Sequence, residues 1–98
     1  MNISKEQLGT TLKIAINGRI DTTTAPDFEA ESSFDDSVKE LELDFAGVEY
    51  ISSAGLRVVL KLQKRMNSLG GKMKLTNVND SVMDVFDITG FVDILTIE

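Results

Sequence analysis

Thr11-Leu12-Lys13-Ile14-Ala15-Ile16-Asn17 alternates apolar and polar residues, the period of two expected of a strand with one buried face. A weaker alternation covers Asn2 to Leu8. The link Leu8-Gly9-Thr10 holds the glycine that a tight hairpin favours, so the two segments are expected to pair antiparallel. Leu41-Glu42-Leu43-Asp44-Phe45-Ala46 alternates again and is expected to end at Gly47, Lys72 to Val78 reads as a fourth strand, and Ile94 to Ile97 reads as a short closing one. Between these lie patterns of helical period. Val59, Leu62, Met66 and Leu69 recur at intervals of three, four and three, Leu56 and Leu60 widen that stripe, and Gly70-Gly71 supplies a left-handed stop. After Gly18, Asp21-Thr22-Thr23-Thr24-Ala25-Pro26-Asp27 offers hydroxyls able to cap, Pro26 in a first turn, and Asp27 and Glu29 near the positive helix end. This predicts a short helix running to about Phe34. Asn79 or Asp80 caps a third helix through Val82, Val85 and Phe86, which Gly90 ends.

The order is therefore β-β-α-β-α-β-α-β. Strands joined through helices require crossovers and parallel pairing, and the opening hairpin adds an antiparallel component, so the fold class is α/β with a mixed sheet covered by helices. No repeat, linker or low-complexity tract interrupts the pattern, and 98 residues with 42% hydrophobic and 27% charged content suit one globular domain over residues 1–98.

Composition narrows the chemistry. With no cysteine and no histidine, a disulfide framework, a thiolate nucleophile, a Ser-His-Asp triad and the usual zinc sites are excluded. A metal held by carboxylates alone stays possible, as does a hydroxyl that accepts a phosphate from another protein's donor. A formal charge of −6 argues against nucleic acid, whose binding depends on Lys and Arg displacing counterions. The longest aliphatic run, Val58-Val59-Leu60, is far below the ~20 residues of a membrane span, and Met1 to Gln7 has no apolar signal region. A cytoplasmic protein without membrane contact is expected.

The charge is segregated. Residues 1–49 carry a net −7, residues 50–79 a net +6 with no acid, and residues 80–98 a net −5 with no base. The positive block is Arg57, Lys61, Lys64, Arg65, Lys72 and Lys74, and Arg57, Lys61 and Lys64, at intervals of four and three, are expected along one side of the main helix. Such a stripe is either a solvated face or a surface for docking or phosphate balance.

Val48-Glu49-Tyr50-Ile51-Ser52-Ser53-Ala54-Gly55-Leu56-Arg57 joins the third strand to the main helix. Crossovers place such junctions at the carboxyl edge of a sheet, where ligand and partner sites gather. Ser52 or Ser53 suits a helix cap. Alternatively, one of the two hydroxyls is phosphorylated: a phosphoserine adds about −1.5 to −2 charges where a helix N-terminus tolerates an anion, so the surface changes while the fold persists.

The chain resembles the STAS domains, and among them the bacterial anti-sigma factor antagonists, in four segments. Gly18-Arg19-Ile20-Asp21 running into Ala25-Pro26 is similar to the family's Gly-x-Leu-Asp segment, and Leu43-Asp44-Phe45-Ala46-Gly47-Val48 to its Leu-Asp-Leu-Ser-x-Val strand. Ile51-Ser52-Ser53-Ala54-Gly55-Leu56 resembles the hallmark Ile-Asp-Ser-Ser-Gly-Leu run, and Ile88-Thr89-Gly90-Phe91 the signature before the last strand. The resemblance implies a STAS-like fold with Ser53 as phosphoacceptor and Asp21 beside it. Ser52 stands where many members have aspartate and becomes a rival acceptor, and Ala54 replaces the second motif serine. The implied partner surface is Asp21, Ser52, Ala54, Gly55 and Leu56, to which the basic stripe adds Arg57.

What the resemblance further implies is a partner switch with no catalytic group, metal or cofactor of its own, the ATP and magnesium belonging to the kinase. Unphosphorylated, it binds an anti-sigma factor of kinase-type fold; that partner uses ATP to phosphorylate Ser53 and is released; a serine phosphatase resets the cycle. The alternative is a non-switching STAS subunit bracing a stress-signalling scaffold or a lipid-transport ATPase. A small nucleotide-binding enzyme lacks its phosphate-cradling loop, since Gly70-Gly71 is a helix stop.

Overall fold

The computed structural model describes residues 1–98. Strands β1 (Asn2–Leu8) and β2 (Thr11–Ile20) form the expected hairpin, and Gly9 adopts the φ of 61° that its two-residue turn requires. Helix α1 spans Ala25–Glu31, β3 Glu40–Ile51, α2 Ser53–Ser68, β4 Lys72–Thr76 and α3 Asp80–Thr89. The sheet order is β1-β2-β3-β4, with β2–β3 and β3–β4 parallel.

Five boundaries differ from the sequence reading, the first being β4, which ends at Thr76 instead of Val78. β3 does not stop at Gly47 but continues to Ile51, and β2 continues to Ile20. Register shifts between Ala15 and Asn17 and between Gly18 and Arg19 let the two strands stay paired past their glycines. Helix α1 ends at Glu31 instead of Phe34. The closing strand shrinks to one parallel bridge, Ile97 to Leu75, because Phe91–Asp93 turns as a 3-10 helix first.

The alternation seen in the sequence is the inside and outside of this sheet. Leu12, Ile14 and Ile16 of β2, Leu41, Leu43 and Phe45 of β3, and Met73 and Leu75 of β4 belong to one buried cluster with Phe28 of α1, Val59, Leu62 and Met66 of α2, and Val82 and Phe86 of α3. The Phe45 and Phe86 rings lie 6.3 Å apart. The helices thus cover one sheet face. The other is open and polar, laced by Lys13 and Lys74 on either side of Glu42 at 3.6 and 3.8 Å. No helix is long and apolar enough to cross a membrane.

Candidate functional site

β2 and β3 run parallel and finish at one level, Ile20 opposite Ile51. The Ser52 amide donates to the Ile20 carbonyl at 2.8 Å, closing the pair. The loops that follow therefore leave the carboxyl edge of the sheet side by side, with Asp21 and Ser52 each one residue past a paired strand end.

Asp21 ties its own turn. Its Oδ1 accepts from the Thr23 amide at 3.0 Å, the Thr23 hydroxyl at 2.7 Å and the Thr24 amide at 3.1 Å, and the Asp21 amide donates to Thr24 Oγ1 at 2.8 Å. The Thr23 hydroxyl first, then the Thr24 amide, hold its carboxyl below the ordinary value. Oδ2 makes no hydrogen bond within the chain and remains available to a partner.

The two serines differ in role. Ser52 is the N-cap of α2, extended at φ −94° and ψ 175°, and its Oγ accepts from the Gly55 amide at 3.4 Å. Ser53 is the first helical residue; it is exposed, and its hydroxyl makes no hydrogen bond within the chain. The first turn of α2 holds no acid. Gly55 and Leu56 are buried and offer no side-chain surface; their contribution is positional. A Cβ on Gly55 would stand 2.6 Å from Ile20 Cγ2 and 2.8 Å from Ile51 Cγ1. Only a glycine lets the start of α2 sit directly on the ends of the two strands.

Beside this edge, α1 and α2 flank a shallow groove walled by Thr22, Pro26 and Glu29 on one side and by Ala54, Arg57 and Lys61 on the other. It continues past Ser32 to Arg65. The basic row on the groove is therefore Arg57, Lys61 and Arg65, not Arg57, Lys61 and Lys64. Both spacings are helical neighbours, and the position of α1 selects the row rising by four. Lys61 pairs with Glu29 at 2.7 Å. Arg65 meets Asp36 at 3.1 Å, donates to the Phe34 carbonyl and stacks on the Phe34 ring. Arg57, nearest Ser53, has no acid and no hydrogen-bond partner.

Sequence reading missed one feature. The Arg19 guanidinium lies 4.5 Å above the Tyr50 ring, one residue before the strand ends. The pair arises from the register Arg19 to Tyr50, which becomes visible only once the parallel pairing and its bulges are known. No three or more carboxylates converge on a metal-sized site.

The STAS domain model matches residues 2–98. The chain is 31% identical over 98 residues to the anti-sigma-B factor antagonist of Bacillus subtilis strain 168, covering 99% of this chain and 90% of that protein. In fold it is similar to an anti-sigma factor antagonist from Mycobacterium paratuberculosis, with a TM-score of 0.85 at 20% identity over 98% of this chain and 83% of the other. It is also similar to the Bacillus cell fate determinant SpoIIAA solved in its phosphorylated form, with a TM-score of 0.76 at 20% identity over 99% and 91% of the two chains.

Proposed function

The chain belongs to the STAS domain family, and on that premise we propose that it is an anti-sigma factor antagonist, a partner switch governed by phosphorylation of Ser53. Unmodified, it binds a kinase-type anti-sigma factor through Asp21, Ser52, Ser53, Ala54 and Arg57 and so frees a sigma factor. The partner transfers the γ-phosphate of ATP to the Ser53 hydroxyl and dissociates, and a serine phosphatase restores the hydroxyl. ATP and magnesium belong to the kinase.

The observation that carries this reading is the division of labour between the serines. Ser52 Oγ is committed to the Gly55 amide, whereas the Ser53 hydroxyl is exposed and uncommitted, so phosphate on Ser53 leaves the cap intact. At the first position of α2, the dianion lies at the positive end of the helix. The fold tolerates it, while a partner that had desolvated a small hydroxyl meets a solvated charge instead.

The test is incubation with a kinase-fold anti-sigma factor and ATP, followed by site-mapping mass spectrometry and a binding titration. Phosphate is expected on Ser53. Ser53→Ala is expected to hold the partner permanently, and Ser53→Asp to weaken the complex with its melting temperature nearly unchanged. Phosphate on Ser52 with Ser53 unmodified overturns the assignment, and full binding by Ser53→Asp favours a non-switching structural subunit.

A further inference from the structure

Of the three cations along the α1–α2 groove, two are neutralised within the chain, Lys61 by Glu29 and Arg65 by Asp36. Arg57 is exposed and has neither an acid nor a carbonyl partner. It follows Ser53 by four positions on α2, which places it ~6 Å further along the axis and about 40° around it. Helical side chains lean toward the N-terminus, which puts the turn that Ser53 begins within reach of the Arg57 guanidinium. An anion four residues before a cation is also the more favourable order of such pairs.

Resting on the reading of Ser53 as the acceptor, we propose that Arg57 is the internal counter-ion of phosphoserine 53. Its guanidinium donates two N–H bonds to the phosphate oxygens in a planar fork. Phosphorylation then alters the docking edge twice. The Ser53 hydroxyl is replaced by a charged group, and Arg57, the uncommitted cation of the groove nearest the site, is drawn from its outward position onto α2 itself. The other charged groups around this end are Asp21, whose Oδ1 is occupied by Thr23 and Thr24, the Glu29–Lys61 pair one turn along, and Arg19 at the end of β2, whose guanidinium lies over the Tyr50 ring. Lys61 is held by Glu29 and Arg19 lies on the Tyr50 face at the end of β2, which leaves Arg57 as the unpaired cation on the helix turn of Ser53 itself.

The test needs no kinase, which separates it from the test of the acceptor assignment. Phosphoserine is encoded genetically at position 53 in the full chain, and its phosphorus resonance is followed by NMR through the second ionisation, near about pH 6 for a free phosphoserine. A neighbouring guanidinium favours the dianion, so Arg57→Gln is expected to raise the midpoint by roughly 0.2–0.4 of a pH unit. Arg57→Lys is expected to recover part of that shift, and Lys64→Gln to leave the midpoint in place. An unmoved midpoint in Arg57→Gln overturns the proposal, as does an equal shift in Lys64→Gln, which would reveal only the general field of the helix.

Discussion

Gly55→Ala tests whether the site is set by close approach of α2 to the sheet. The added methyl would lie 2.6 Å from Ile20 Cγ2 and 2.8 Å from Ile51 Cγ1, against an ordinary carbon separation of ~3.5–4.0 Å. One side or the other has to give by about 1 Å. Ile20 and Ile51 are 0% and 1% exposed, so neither has space to retreat into, and overpacking of this kind costs about 1–3 kcal/mol. Opposing it is the helix preference of alanine over glycine, at most about 1 kcal/mol. The expected balance is a net loss of about 1 kcal/mol, read as a melting temperature lower by ~4–8 °C in a domain of this size. The start of α2 also lifts from the strand ends and carries Ser53 away from Asp21. Phosphorylation by the kinase should therefore fall by more than the folded fraction does. Gly70→Ala is the comparison: Gly70 has φ +70° with nothing within 4 Å of a Cβ, so it should lose stability through backbone strain while labelling of the folded protein is unchanged. A Gly55→Ala protein as stable as the parent, and as well phosphorylated, would refute the reasoning.

Asp21→Asn keeps the oxygen that Thr23 and Thr24 use and removes the charge; partner affinity and phosphorylation should fall more than thermal stability, and a lower melting temperature with full binding would reduce Asp21 to a turn former. Asp44 is held below the ordinary carboxyl value first by the Asn77 side chain, whose Nδ2 donates at 3.0 Å, then by the Ala46 amide. Because its folded pKa is the lower one, its contribution is present above the unfolded value and is lost as pH falls through the folded value. Asn77→Gly retains the φ of 58° and removes the donor. Asp44 should then titrate closer to its ordinary value by NMR, and the difference in urea stability between neutral and acidic pH should narrow; an unchanged difference would contradict the assignment.

The sheet was legible because its alternation is strict: every residue of Leu12, Ile14, Ile16, Leu41, Leu43 and Phe45 is buried, while Lys13, Glu42 and Asp44 face solvent or one another. Glycine was the misleading signal. Gly47 reads as a strand end, yet bulged parallel pairing carries β3 on to Ile51, and a bulge depends on the partner strand, which local sequence does not specify. Topology made the serine junction legible at the carboxyl edge of the sheet, whereas Asp21 was expected beside it only from the family resemblance. Which serine caps α2 was not legible, since either suits a cap and only the extended backbone of Ser52 decides it. For the same reason Lys64 was assigned the place that Arg65 holds: helical period gives two neighbouring rows, and the packing of α1 picks one.

The hydrogen bond from the Ser52 amide to the Ile20 carbonyl also fixes when, during synthesis, the setting of Ser53 comes into being. The β1–β2 hairpin is a local structure that closes within about microseconds of leaving the ribosome, but the Asp21 turn at its end stands alone until β3 has been made and has found β2, a slower, non-local step. Ser53 acquires its helical setting only then. On the proposed reading, a kinase that grips both loops would recognise finished molecules, and nascent or unfolded chains would pass it unmodified although they contain the same ten residues of the junction.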